Sequence, residues 1–215
     1  MKTMDKPEEK SSSEEKQVYL VEDPPVTKWI STGCTILDLA ISGSLPGGFP
    51  IGRTVEIYGP PSSCKTVLGM LALGFCQRAG GIGYFVDVED TFLPSWSTQF
   101  GLDCQNVDTF RLTGGLEAPE TVEQLFDDYL APIVKLKDDR HKFIVVDSLS
   151  ALASEVEKST ALDKPSFGAT KASRMSAAFR KYSPPVLSKS KIGLLFLNQT
   201  RDNVGVAFGP TEVTG

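Results

Sequence analysis

The sequence is short of the residues that staple, chelate or anchor a fold. Its 215 residues include one histidine, His141, and four cysteines, Cys34, Cys64, Cys76 and Cys104, with no Cys-x-x-Cys pair among them. That spacing argues against a Cys/His zinc site and a disulfide framework, and it fits a reducing, cytoplasmic compartment. No apolar run approaches the roughly 18 residues of a membrane span, and the N-terminus lacks the apolar stretch of a secretory signal. A surplus of positive charge is missing too. Against 27 acids stand 22 bases, a formal net charge of −5, which excludes a strongly basic coat for nucleic acid but not a local basic face. What is present is ordinary globular composition, 40% hydrophobic and 23% charged, in a chain large enough to bury a core without staples.

Charge is unevenly placed along the chain. Residues 81–130 hold ten acids and one base, whereas residues 154–201 hold nine bases and three acids. Two readings stay open: solvated helix faces, or a basic binding surface in the C-terminal third. Residues 1–16 are charged and Ser-rich and read as a disordered tail. Val18-Tyr19-Leu20-Val21 and then Pro24-Pro25 read as an extended arm, so 1–28 is an appendage and 29–215 the domain. Four apolar, β-rich runs follow, at 54–58, 83–88, 143–146 and 192–197, with helix-like stretches at 65–78, 119–136 and 168–187. Pro119 suits a first helical turn, Pro132 is expected to kink or end the second helix, and Pro184-Pro185 to end the third. Strands apolar throughout, alternating with helices, predict an α/β domain: a mostly parallel sheet flanked by helices.

The strongest local signal is Gly59-Pro60-Pro61-Ser62-Ser63-Cys64-Lys65-Thr66, between a predicted strand and a predicted helix. Backbone N–H groups opening a helix form an anion cradle. Lys65 would reach β- and γ-phosphates, and Thr66 would place its hydroxyl on Mg²⁺. Cys64 stands where such a loop normally has glycine, so the pattern is imperfect, and a plain strand–turn–helix with an exposed lysine is the competing reading. Phe143-Ile144-Val145-Val146-Asp147-Ser148 puts a carboxylate at a buried strand's end, suited to orienting Mg²⁺ and its waters. Phe85-Val86-Asp87-Val88-Glu89-Asp90 places acids just past another strand. Glu89 could polarise an attacking water, or all three acids could be ordinary loop residues. Leu197-Asn198-Gln199 sets amides at a fourth strand's end, either a γ-phosphate sensor or a simple strand-to-loop transition.

Together these residues resemble the bacterial and phage RecA recombinase family. The matching stretches are Ser31-Thr32-Gly33, Leu37-Asp38, Gly52-Arg53, Val55 to Pro60, Ser62-Ser63, Lys65-Thr66, Val145 to Ser148, Arg174-Met175, Asn198-Gln199, Gly205-Val206, Phe208-Gly209 and Thr214-Gly215. The resemblance implies a P-loop RecA-type ATPase core that binds ATP and Mg²⁺ and forms a homo-oligomeric filament on single-stranded DNA for strand exchange and repair. Carried across, Gly59 to Thr66 is the phosphate loop, Asp147 the Mg²⁺-linked carboxylate, Glu89 the activator of water, Gln199 the γ-phosphate sensor and Trp96 the aromatic on adenine. DNA contacts fall on a first loop at about 154–167, on Arg174 and Lys181 of the following helix, and on a second loop with Arg201, Val204, Gly205, Phe208 and Gly209. Arg201 and Arg174 would hold phosphates and Val204 would wedge between bases. The acidic segment at 81–130 is then expected to lie away from DNA. Three departures stand out: Cys64 in the phosphate loop, no amphipathic N-terminal helix, and an end inside the family's second DNA loop, which predicts a core truncated at its C-terminal side. The alternative reading is a truncated or split module that binds nucleotide or a partner recombinase without turnover.

Overall fold

The computed structural model describes residues 25–159, 167–201 and 212–214. The tail and most of the arm, part of the first loop, and Val204, Gly205, Phe208 and Gly209 lie outside the described residues. The centre is a sheet of β3 (Thr54–Gly59), β4 (Ile82–Asp87), β5 (Phe110–Thr113), β6 (Lys142–Asp147) and β7 (Ile192–Arg201), after a small antiparallel pair of β1 (Trp29–Ile30) and β2 (Phe49–Pro50). The five strands run parallel in the order β3-β7-β6-β4-β5. A short β8 (Glu212–Thr214) pairs antiparallel with the end of β7.

Each central strand is apolar on both faces because each face meets its own core. Phe143, Val145, Leu195 and Leu197 enter one cluster with Met70, Leu73 and Phe49. Their neighbours Ile144, Val146, Leu194 and Phe196 enter the other with Leu125, Phe126, Met175 and Leu187. Two-residue alternation thus feeds two layers rather than one core and solvent. On the first side lies α2 (Lys65–Arg78). A Cβ on Gly69 would come within 2.9 Å of Val145 Cγ1, so only glycine lets this helix lie so close to the sheet.

The second face is covered by α4 (Val122–Gln124), a π-helical turn (Leu125–Leu130), α5 (Ala131–Lys135), α7 (Phe167–Lys181) and α8 (Pro184–Lys189), with α6 (Glu155–Ser159) leading toward α7. Pro119 does not open a helix. Thr121 caps α4 instead, its Oγ1 accepting from Gln124 N at 3.2 Å. Nor does Pro132 end the helix: the turn before it widens to the π form, and the chain continues through α5. Pro lacks an N–H and crowds the carbonyl one turn back, and a wider turn accommodates both effects. α7 ends at Lys181, ahead of Pro184-Pro185 as expected, and Pro184 itself opens α8, in keeping with the proline preference for a first turn.

Among the elements that escape the sequence reading, two are instructive. One is β5, whose four residues are half exposed at the sheet's edge. The other is α1 (Thr35–Ser42), whose buried residue is Asp38 while Ile36 and Leu39 are exposed. The Asp38 carboxylate accepts from Ser31 Oγ at 2.6 Å, Thr32 N at 2.7 Å and Thr32 Oγ1 at 2.6 Å. Burial opposes its ionisation, but these hydrogen bonds outweigh it and hold the carboxyl below its ordinary value.

Candidate active site

Parallel register brings the strand ends to one rim. Gly59 pairs with Gln199, Asp147 with Leu197, and Asp87 with Asp147. The loops leaving these ends enclose a cavity of about 530 Å³ lined by residues 61–67, Glu89, Thr91, Trp96, Asp147 and Gln199. Every catalytic and nucleotide-binding residue singled out from the sequence lies in this lining, save Gly59 and Pro60 at the loop's start.

The loop itself folds back on its lysine. Lys65 Nζ donates to Gly59 O at 3.1 Å, Pro60 O at 2.8 Å and Ser63 Oγ at 3.4 Å. Ser62 and Cys64 have φ of 61° and 64°. Cys64, preceding α2, therefore takes the left-handed backbone that glycine would adopt freely, at a cost of about 1–2 kcal/mol for a residue with a Cβ. The residue expected to disturb the loop is accommodated by strain, with its side chain exposed at the cavity.

Asp147 is 5% exposed and accepts Thr66 Oγ1 at 2.6 Å. Burial pushes its carboxyl up to about 6, the Thr66 hydrogen bond opposes this, and the nearby Glu89 and Asp87 carboxylates add to the rise. A buried carboxylate held above its ordinary value, beside a hydroxyl at the mouth of a cavity, is short of positive charge. That donor set fits a hard divalent cation.

Glu89 follows β4 and is tied to β6 through the backbone: Val88 N and Glu89 N donate to Asp147 O at 2.7 and 3.3 Å. Its Oε1 accepts from Gln199 Nε2 at 2.9 Å and also from Ser148 Oγ. Asp87, by contrast, turns to the loop: its carboxylate accepts from Thr91 N at 3.1 Å and Phe92 N at 2.7 Å. It braces the segment that delivers α3 (Pro94–Ser97), on which Trp96 stands edge-on to Phe100 with ring centroids 5.2 Å apart.

The structure separates Asn198 from Gln199. Successive strand residues face opposite sides, and Asn198 Nδ2 donates to Glu56 Oε1 at 2.8 Å, in a groove on the α7 face. Sequence reasoning missed Ser148, Thr91 and the bracing role of Asp87. Ser148 adjoined a named motif, but a serine after a strand-end aspartate carries no signal of its own.

Arg174 and Lys181 are not at this cavity. Both lie on the outer face of α7, facing the acidic segment. Arg174 Nε is 3.4 Å from Glu123, Lys181 Nζ is 2.6 Å from Asp127, and Lys158 pairs with Glu120. Part of the acidic segment, Glu120 to Asp127, therefore lies against the basic one, because the helical stretch after β5 packs beside α6 and α7. Arg201 closes β7.

Comparison with known proteins settles the family. The family model for the RecA N-terminal domain matches residues 9–215. The chain belongs to the RecA family, to its N-terminal portion. It is 40% identical over 185 residues to Protein RecA of Synechocystis sp., covering 86% of this chain and 48% of that protein. Protein RecA of Crocosphaera subtropica gives 38% over 185 residues with the same coverage. Protein RecA of Mesomycoplasma hyopneumoniae gives 35% over 206 residues, 95% of this chain and 57% of that one. The chain spans about half the length of the curated relatives it matches. Among the described residues, no helix is long and apolar enough to cross a membrane.

Proposed function

We propose that this chain is the ATPase core of a RecA-type recombinase, binding ATP and Mg²⁺ at the strand ends and hydrolysing ATP in response to single-stranded DNA. The observation that carries this reading is the convergence of one lysine, one buried carboxylate, one half-buried carboxylate and one amide on a single cavity from four separate segments. The loop amides cradle phosphate oxygens, and Lys65 exchanges its loop carbonyls for the β- and γ-phosphates. Thr66 and Asp147 would hold a magnesium ion, which would supply positive charge to the phosphate oxygens. Glu89 takes the proton of the water that attacks the γ-phosphate in line, and Gln199 senses that phosphate. Trp96 lies against the adenine.

DNA contacts fall to Arg174, Lys181, Arg201, Val204, Gly205, Phe208 and Gly209, in a filament of copies of the protein acting in recombination and repair in the cytoplasm. Phosphates reaching Arg174 and Lys181 compete with Glu123 and Asp127 for the same cations. Exposed ion pairs of this kind contribute only about 0–1 kcal/mol, so the exchange is accessible.

The test is ATP hydrolysis by the 215-residue chain with and without single-stranded DNA, beside Lys65→Ala. Stimulation by DNA that Lys65→Ala abolishes is the expected result. Lys65-dependent nucleotide binding without turnover would reduce the chain to a nucleotide-binding module. No nucleotide binding would overturn the reading.

A further inference from the structure

Glu89 is held at one oxygen by two donors, Gln199 of β7 and Ser148 just past β6, and the second belongs to a short hydroxyl chain. Ser148 is fully buried, with 0% of its surface exposed. Its Oγ donates to Glu89 Oε1 and lies 2.7 Å from Ser150 Oγ. A carboxylate cannot donate, and a serine hydroxyl has one proton. With that proton committed to Glu89, the Ser150 hydroxyl must be the donor to Ser148. The order is therefore Ser150 to Ser148 to Glu89, with Gln199 Nε2 donating to the same Oε1 at 2.9 Å. Hydrogen bonds in such a chain strengthen one another at low dielectric. Both fixed bonds fall on Oε1, so Oε2 is the oxygen left to face a reacting water.

We propose that Ser148 is a positioning residue for Glu89: its buried hydroxyl, polarised by Ser150, fixes the carboxylate so that one oxygen is anchored and the other is presented to water. This rests on the reading of Glu89 as the water-activating group. The same segment also ties the site to the helix that follows the first loop. Leu149–Ala151 forms a single 3₁₀ turn, and Lys171 Nζ on α7 donates to Leu149 O at 3.1 Å. Ser148 thus stands where the α7 side of the molecule and Glu89 meet.

The experiment compares wild type, Ser148→Ala, Ser148→Thr and Ser150→Ala in DNA-stimulated ATP hydrolysis, with kcat and KM resolved. Misplacing a reacting group by about 1 Å costs on the order of a hundredfold. Ser148→Ala should lower kcat about tenfold to a hundredfold with KM within about twofold, because a positioning role acts on the chemical step and not on ground-state binding. Ser148→Thr keeps the hydroxyl and should restore kcat to within about threefold, and Ser150→Ala should fall between the two. An unchanged kcat in Ser148→Ala, or a raised KM with kcat intact, would overturn the proposal.

A second readout needs no turnover. The side-chain amide resonances of Gln199, identified by their loss in Gln199→Glu, report on its bond to Glu89. They should shift in Ser148→Ala and return in Ser148→Thr. If wild type neither binds nor hydrolyses ATP, the functional reading fails while the amide shift still decides whether Ser148 holds Glu89. If wild type is active and neither kcat nor the amide responds, Ser148 is structural only.

Discussion

At the start of β6 the Lys142 side chain is 1% exposed, and its ammonium donates to Asp138 O at 2.8 Å, Arg140 O at 3.2 Å and Ser190 O at 3.5 Å. At the far end of the same strand Asp147 is nearly as buried, yet among the described residues its carboxylate accepts from a single hydroxyl, that of Thr66. Burial drives both groups toward neutrality, pulling Lys142 below the ordinary lysine value and pushing Asp147 up to about 6. The difference lies in what surrounds them. Lys142 fills a cage of carbonyls that closes the N-terminal end of the sheet, whereas Asp147 faces a cavity. A satisfied buried charge organises loops, and an under-satisfied one at a cavity is poised for a ligand.

Removing the cage should have the largest effect. Lys142→Met leaves three carbonyls without their ammonium, and it should cost about 3 kcal/mol, seen as a lower urea midpoint at unchanged slope. A midpoint equal to wild type would make the two ends of β6 energetically alike.

Asp147→Asn should act in the opposite direction. A carboxyl whose folded value is raised to about 6 contributes stability that is complete below its unfolded value near 3.8 and lost as pH rises through 6. The variant should therefore be more stable than wild type by about 2 kcal/mol at pH 8, with the advantage shrinking toward pH 4. It should also lose the rise in Tm that ATP and Mg²⁺ give wild type. A destabilised variant at pH 8 would mean that the Thr66 hydrogen bond outweighs the burial of charge.

His141 sharpens the contrast from the other end of the sheet. Its Nε2 is buried without a hydrogen-bond partner among the described residues. Burial first, and then the positive charges of Lys28 and Lys142, hold the imidazole below its ordinary value. Its contribution is present above about 6.5 and lost as pH falls through the folded value. Between pH 7 and 4 it opposes that of Asp147. Stability of Asp147→Asn should consequently fall on acidification, and that of His141→Gln should rise. Urea midpoints across this range check both, and parallel profiles would refute the assignment.

The smallest effect belongs to the phosphate loop. Cys64→Gly relieves a left-handed residue but loosens the unfolded chain, so a net gain of about 0.5–1 kcal/mol is expected. A loss in thermal melts would show that the thiol packs usefully where it sits.

The contrast bears on what could be read in advance. Residues 65–78 were legible as a helix to the residue, and all four apolar runs became strands, because apolar runs and a loop before a helix are local signals. The half-exposed β5 and the outward apolar residues of α1 gave no such signal, since neither follows a burial period. Pro119 misled because Thr121 caps the helix instead, Pro132 is accommodated by a widened turn without ending the helix, and α7 stops ahead of Pro184.

By itself the sequence determined an α/β domain, the phosphate loop, and the residues offered at four strand ends, since each depends on neighbours along the chain. Only the tertiary structure decided which of them meet. Parallel register set Gln199 beside Gly59 and Asp87 beside Asp147, and it brought Ser148 to Glu89 and Thr66 to Asp147 across 59 and 81 residues of chain. It also laid the acidic stretch against α6 and α7 and caged Lys142 while leaving Asp147 open. Such contacts are fixed by strand order and layer packing, which bring together groups that no local spacing relates.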